Sequence, residues 1–457
     1  MDSNVHTPKP FPQPAAGYTQ PFWRTELDDL DSHQSSADLP PETEILIIGG
    51  GYAGASAAYH LFNDAPQDKS LGVVLLEGRE LCSGATGRNG GHLRPDLYAA
   101  TKVYQERYGL EAAAEVVRYE ISHMKQLEET VRNEGIDCDL TFTRSYDIFL
   151  DADHLAAAKA YYDSLVQYDL DFMSDVEYLT EKEAQTIAKV KNAKGGFSFS
   201  AGHLWPYKLV AGLIRIAVSR GLQLHTKTMV TGIGQTPSLE GFWPVTTSRG
   251  VIHARKIIFA TNAYTSALAP EYSRAIVPCK GLCTQIQAAP GAPYEAIPET
   301  YVIRHGPGCF IYQISRKDGS IIVGGAEYTY RDSPAQWYSN SEDGSVIPNV
   351  ETYFDGYMQR TFHGWEDSQA TVKQKWTGVM GYSADSLPHI GAIPNKPGQF
   401  IAAGFNGHGM PVVFLGGKAV AEMAQKSISF SQTGLPRLFE TTAERLTPIY
   451  DDTMGYP

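Results

Sequence analysis

The chain has 457 residues, a formal net charge of −13 and 42% hydrophobic residues, enough for two or three units of core without disulfide or metal staples. The acidic balance, with no standout Lys/Arg cluster, excludes a phosphate-backbone partner such as DNA or RNA. The cysteines, Cys82, Cys138, Cys279, Cys283 and Cys309, are scattered and odd in number, which fits a reducing, cytoplasmic compartment, and no stretch reaches the roughly 18 apolar residues of a membrane span.

Residues 1–41 are rich in Pro, Ser and Asp, carry no apolar signal core, and read as an irregular arm on the domain surface, with an aromatic knot at Pro21-Phe22-Trp23-Arg24. From Glu44 a buried-strand pattern turns through glycines into a helix, ILIIGGGYAG at residues 45–54. In such a turn Gly49 permits the tight bend, Gly51 lets the backbone approach a pyrophosphate, and Gly54 lets the helix pack closely on the strand. A second strand, Val73–Leu76, ends in Glu77, an acid placed to accept hydrogen bonds from ribose hydroxyls. Strand, glycine turn, helix, strand and acid in this order predict a cradle for an adenosine dinucleotide, NAD or FAD.

The loop CSGATGRNGGH at 82–92 is too glycine-rich for a regular element and marks close approach of backbone to something. Val117, Ile121, Met124, Leu127 and Val131 recur at helical spacing and predict an amphipathic helix ending near Gly135. A strand at Arg144–Leu150, a helix near Leu155–Tyr168, a helix opened by Pro206 and stopped by Gly221, and a strand at Leu222–Thr228 follow. Lys256–Ala260 is the next strand, running into Thr261-Asn262-Ala263. Between Val277 and His363 the segments Thr284–Gln287, Cys309–Ile314 and Ser320–Gly325 read as antiparallel strands with a turn at Asp318-Gly319; Cys279 and Cys283 read as buried strand residues.

The strand Phe400–Ala403 leads into a second glycine turn, GFNGHGM at 404–410, and a helix from Pro411 to about Ala424. Two helix N-termini in one domain call for two electron-rich groups. In a flavin one is the pyrophosphate and the other the N1/C2=O edge of the ring, whereas a nicotinamide has no such edge, so the pair favours FAD. The layout predicted is an α/β FAD-binding Rossmann-like domain with a discontinuous α+β substrate domain. Residues 42–137, 201–275 and 371–445 form the first domain, and 138–200 and 276–370, with an antiparallel sheet, the second.

ILIIGGGYAG, CSGATGRNGGH, the Ala260–Ala263 turn, and GYSADSLPHIGAI followed by GFNGHGM resemble, in order and over roughly residues 42–430, the FAD-dependent amine oxidases of the D-amino-acid oxidase family, which includes glycine, sarcosine and γ-glutamylputrescine oxidases. A fungal-type branch is expected. The resemblance implies a GR2-type fold and FAD as cofactor. It implies a cofactor set of Gly49, Gly51, Tyr52, Ala53, Gly54, Glu77, Gly78, Arg79, Thr86, Gly87, Arg88, Asn89, Gly90, Gly91, Val230, Thr261, Asn262, Ala263, Gly404, Asn406, Gly407, His408, Gly409 and Met410. No metal is expected, and a monomer acting on a small-molecule amine is.

The family's reaction removes hydride from the carbon beside an amine to flavin N5, oxidising a C–N bond. Here Gly378–Asp385 lacks the cysteine that binds flavin covalently in the sarcosine-oxidase branch, so a non-covalent flavin is expected. Met410-Pro411 and Ile321–Gly325 lack that branch's substrate-binding and oxygen-activating lysines, which makes a simple N-methyl amino acid a poor substrate. Candidates for the substrate side are therefore His92, Arg94, Tyr312 and His408, with Trp205, Tyr207 and Arg304 behind them. Two other readings keep the flavin: a hydroxylase or NAD(P)H oxidoreductase, for which neither a GDAAH-like segment nor a second GxGxxG is apparent, and a catalytically silent flavin-binding protein.

Overall fold

The computed structural model describes residues 12–15, 17–63, 72–348, 350 and 352–448. In chain order its regular elements begin with β1 (Glu42–Ile48), α1 (Tyr52–Asn63), β2 (Val73–Leu76), β3 (His92–Leu93), α2 (Ala99–Tyr108), α3 (Leu110–Glu134), β4 (Thr141–Phe149) and α4 (Ala152–Val166). They continue through β5 (Glu177–Leu179), α5 (Glu181–Thr186), β6 (Gly195–His203), α6 (Pro206–Ser219), β7 (Gln223–His225), β8 (Val230–Ile233), β9 (Trp243–Thr247) and β10 (Gly250–Phe259). The last are β11 (Ile276–Gln287), β12 (Thr300–Gly306), β13 (Cys309–Ser315), β14 (Ile321–Gly325), α7 (Tyr357–Thr361), β15 (Thr371–Ser383), β16 (His389–Ala392), β17 (Gln399–Ala403) and α8 (Val413–Lys426).

Strands β1 and β10 are the apolar centre of an eight-stranded sheet ordered β16-β17-β10-β1-β2-β7, with β8 and β9 branching from β10. From β17 to β7 every pairing is parallel, which requires cover on both faces and explains the near-continuous burial of Ile45–Ile48 and Ile257–Phe259. α1 and α8 lie side by side on one face, brought close by small residues: Ser56 donates to the Phe414 carbonyl at 2.5 Å, and a Cβ on Gly417 would stand 2.5 Å from that hydroxyl. Both helices follow parallel strands, so their N-termini emerge together at the carboxyl edge of the sheet, where doubly wound folds bind ligands. α8 starts at Val413, two residues later than expected, because the Gly409 carbonyl first closes a turn onto the Val412 and Val413 amides.

The second sheet has nine strands in the order β15-β11-β14-β13-β12-β4-β6-β3, with β5 on β6. Its β11, β13 and β14 pair antiparallel as expected, and one parallel pair, β4 with β12, joins its halves. The expected segment boundaries need correction. β3, residues 201–203 of β6 and all of β15 lie in this sheet, although 42–137, 201–275 and 371–445 were assigned to the nucleotide domain. β15 pairs with β11 from Thr371 to Ser383, so the chain crosses between layers at the ends of strands, where neither composition nor polarity changes.

The arm is also unlike its expectation. Trp23 is fully buried, its ring set edge-on to Trp205 at 5.7 Å and its indole N–H donating 2.6 Å to the Asn89 carbonyl. Arg24 pairs with Asp31 beneath it. A surface strap would leave this aromatic area in water; inside the core each large apolar side chain contributes about 2–3 kcal/mol. Further along, the Thr226 amide donates to His33 of the arm, and Lys227, at φ +52°, ends β7 short of the strand expected through Thr228. α3, by contrast, ends as expected at Gly135, in left-handed conformation.

Candidate functional site

Between the two sheets runs one cavity of about 1040 Å³, at the upper end of the range for ligand sites. Its first end is the glycine turn. Gly49 has φ +112°, and a Cβ there would meet the Ala260 carbonyl oxygen at 2.5 Å; at Gly54 a Cβ would collide with the Gly49 carbonyl. At Gly51 a Cβ would project into the cavity mouth beside the Thr86 hydroxyl, 3.2 Å away.

Side chains from the separate motifs stitch this end into one unit. Glu77 accepts from the Gly50 amide at 2.7 Å and from the Arg79 amide at 2.8 Å. Thr86 accepts from the Tyr52 amide at 3.0 Å, fixing the 82–92 loop against the N-terminus of α1. Asn89 reaches the second glycine turn through its amide, 3.2 Å from the Met410 sulfur. Asn262 accepts from the Gly404 amide at 3.0 Å, and Asn406 accepts from the Ser383 amide at 2.7 Å. Of the residues expected to hold a cofactor, Gly49, Gly51, Tyr52, Ala53, Glu77, Gly78, Thr86, Asn89, Gly90, Val230, Thr261, Asn262, Ala263, Asn406, Gly407, His408, Gly409 and Met410 line the cavity.

Others are placed differently. Arg79 and Arg88 reach the cavity wall, but their donors serve the protein. Arg79 forks onto Asp343 at 3.0 and 3.1 Å, while Arg88 donates to the Ser83, Thr19 and Thr377 carbonyls and tethers the arm. Burial pushes the Arg88 guanidinium down to about 10. Gly54, Gly87, Gly91 and Gly404 face protein: Gly87 abuts the Cys82 carbonyl, Gly91 the Trp23 ring and Gly404 the Ile276 side chain. Trp205 and Tyr207 are core residues behind the loop, with the Tyr207 hydroxyl on Asp31.

The other end of the cavity is the inner face of the second sheet. Tyr312 lies flat against the loop, so close that a Cβ on Gly90 or Gly324 would strike its ring, and its hydroxyl meets the Cys283 sulfur at 3.3 Å. His92, on β3, bonds the Thr300 hydroxyl at 2.8 Å; burial, then Arg94, push it well below the ordinary imidazole range, so it is neutral. Arg94 and Arg304 share one buried carboxylate. Arg304 grips Asp147 with two bonds of 2.6 and 3.0 Å, Arg94 adds one of 3.0 Å, and Tyr98 donates at 2.5 Å. Burial opposes its charge, but Arg304 and Arg94 hold Asp147 below the usual carboxylate range. Two guanidinium groups thus share one buried carboxylate, with Asp96 near enough to act on Arg304 as well.

His408 is 3.0 Å from Glu120 of α3; burial works against it, but the carboxylate holds the imidazole above its ordinary range. Its side chain is 38% exposed at the cavity wall, so solvent screens the pair. Asp147, Tyr98, Glu120, Glu327 and Tyr382 all line or adjoin the cavity and were missed from sequence. One signal existed: Asp147 is a charge directly before the apolar pair Ile148-Phe149 in a strand, and a charge at such a position needs a partner.

Comparisons with known proteins agree with this geometry. A family profile described as DAO, FAD dependent oxidoreductase, matches residues 44–423. Among curated proteins, a probable oxidoreductase OrdL of Haemophilus influenzae is 24% identical over 408 residues, covering 86% of each chain. The γ-glutamylputrescine oxidoreductase of Escherichia coli is 24% identical over 387 residues, covering 83% of each. Among solved structures, glycine oxidase from Geobacillus kaustophilus superposes with a TM-score of 0.66 at 19% identity, over 85% of this chain and 95% of that one. These relatives are bacterial, and the fungal-type branch expected from sequence is not supported.

Proposed function

The chain belongs to the DAO family of FAD-dependent oxidoreductases, and from that premise we propose that it oxidises a C–N bond of an amine that also carries a carboxylate. The residues present fit FAD: the space that a Cβ on Gly51 would fill and the paired N-termini of α1 and α8 suit a pyrophosphate and the electron-rich edge of a flavin. When bound, FAD supplies the hydride acceptor, N5 of its ring. It is held without a covalent bond in this reading, because Gly378–Asp385 has no cysteine and the cavity-lining Cys283 is pushed by burial up to about 12, leaving a protonated thiol against Tyr312.

One observation carries the substrate class: the same cavity that begins at the glycine cradle ends on Arg94 and Arg304, two guanidinium groups that share the single carboxylate of Asp147. An acid group on the substrate accepts from these guanidinium groups, and the aromatic ring of Tyr312 excludes water where the reacting carbon lies. Neutral His92, with its ring nitrogen fixed by Thr300, orients without adding charge. Four scattered cysteines buried in the fold, and Cys309 partly so, with no disulfide among the described residues, are compatible with a cytoplasmic enzyme.

The test is anaerobic: purified yellow protein is mixed with glycine, γ-glutamylputrescine, 4-methylaminobutanoate or dimethylglycine, and the flavin absorbance is followed before oxygen is admitted. Bleaching by an amino acid supports the reading. Bleaching only by NADPH, or by none of the amines, refutes it.

A further inference from the structure

A carboxyl group on the cavity wall has no part in the cluster around Asp147. Glu327 opens a short turn after β14, where Gly325 and Ala326 both take positive φ, +94° and +60°, and swing the chain back over the cavity. The Ala326 amide donates 2.9 Å to the Phe310 carbonyl, and Phe310 is the β13 partner of Arg304. Glu327 therefore stands two strands from the Arg304 end, roughly 10 Å along the sheet at the usual spacing. Tyr382 of β15 stands close enough to favour the charged form of the Glu327 carboxyl. The Tyr382 hydroxyl lies 3.1 Å from the place of a Cβ on Gly407, so the carboxyl is one residue removed from the second glycine turn.

The groups that face Glu327 are few. Tyr312 of β13 and Tyr330 of its own turn are close enough to sense its charge, Tyr382 approaches from β15, and the cation is Arg331, which donates to the Gly308 carbonyl at 2.7 Å. Burial pushes the carboxyl above its ordinary range, against the smaller pull of Arg331 and Tyr382. A carboxyl so placed, without a salt-bridge partner of its own at contact distance among the described residues, matches a cation arriving from outside.

We propose that Glu327 receives the substrate's ammonium group and takes its proton, while the substrate's carboxylate lies toward Arg94 and Arg304. This rests on the function proposed above. The N–H bond breaks, the O–H bond of the carboxylic acid forms, and the electron pair stays on nitrogen, giving the neutral amine that C–N oxidation requires. Glu327 and the two arginines thereby select amino acids over simple amines.

The experiment uses the FAD-loaded protein without oxygen, reading flavin absorbance while 4-aminobutanoate, or butanoate as its deaminated counterpart, is added across pH 5 to 9. In the wild type 4-aminobutanoate binds more tightly than butanoate, and its affinity rises with pH as Glu327 ionises. Glu327→Gln weakens 4-aminobutanoate at least about tenfold, leaves butanoate within about twofold, and removes the rise with pH. Tyr382→Phe keeps the carboxyl but removes the hydroxyl that favours its charge, and moves the rise to higher pH. Equal loss of both probes, an unchanged profile in either variant, or no response of the wild type to either probe overturns the proposal. A protein that holds no FAD overturns instead the reading beneath it.

Discussion

The two ends of the cavity are built by opposite means. At the carboxyl edge of the first sheet the walls are main chain: glycines that admit no side chain, amides at two helix N-termini, and short side chains such as Thr86 and Asn262 that bond backbone. On the inner face of the second sheet the walls are side chains from strands far apart in sequence, with Asp147, Arg304, Tyr312 and Tyr382 contributed by β4, β12, β13 and β15. Backbone recognition tolerates almost no change at a few positions. Side-chain recognition can be rebuilt residue by residue, so one cradle can serve many substrates.

The largest effect should come from filling the main-chain end. Gly51→Val places a branched side chain beside Thr86 in the cavity mouth, and the expected product is colourless protein with FAD affinity lower by at least about a hundredfold and an unchanged far-ultraviolet circular dichroism spectrum. Retained flavin would erase the contrast between the ends. Next comes Trp23→Ala, which removes a fully buried indole and its bond to the Asn89 carbonyl; the expected loss is about 4 kcal/mol in denaturant unfolding. Because Asn89 also reaches Met410, this change should loosen flavin as well as the fold, which a parallel FAD titration checks.

Those two changes also mark what could be read from sequence. The cradle was legible because its physics is local: Gly49, Gly51 and Gly54 fall within one turn, and spacing alone states the job of each. The arm was not, since burial of Trp23 depends on Trp205 and the 82–92 loop, partners 182 and 66 residues away by their hydrogen bonds. The intramolecular partners of Arg79 and Arg88 were hidden for a related reason. The resemblance places both in the cofactor set, and only the fold reveals Asp343, 264 residues beyond Arg79, as its partner. Arg94 and Arg304 were picked out singly, but the carboxylate that joins them lies on β4, and nothing in their own segments names it.

At the side-chain end, Asp147→Asn tests whether the cluster is a unit. The amide keeps the shape but leaves Arg94 and Arg304 as unbalanced buried charges, and the expected cost is about 3 kcal/mol of stability, read by denaturant unfolding. The same variant should bind butanoate more tightly, because the wall has lost one negative charge. A weaker hold on butanoate would mean that the arginines face Asp147 alone and not the cavity.

The smallest effect lies where the two ends meet, at His408, which the second glycine turn carries and Glu120 of α3 holds. Because the folded imidazole titrates above its ordinary range, its pairing stabilises the protein fully below the unfolded value near 6.5 and is lost as pH rises through the folded one. With 38% of the side chain open to the cavity, the pair contributes under about 1 kcal/mol. Glu120→Gln removes the charge and keeps an oxygen for the Asp96 amide, which the carboxylate accepts at 2.7 Å. Thermal melts of the two proteins should therefore differ most near pH 6 and converge toward pH 9. A gap that stays constant with pH would show that Glu120 acts on α3 and the Asp96 loop alone, and that the turn under His408 is set by its glycines, as the rest of the cradle is.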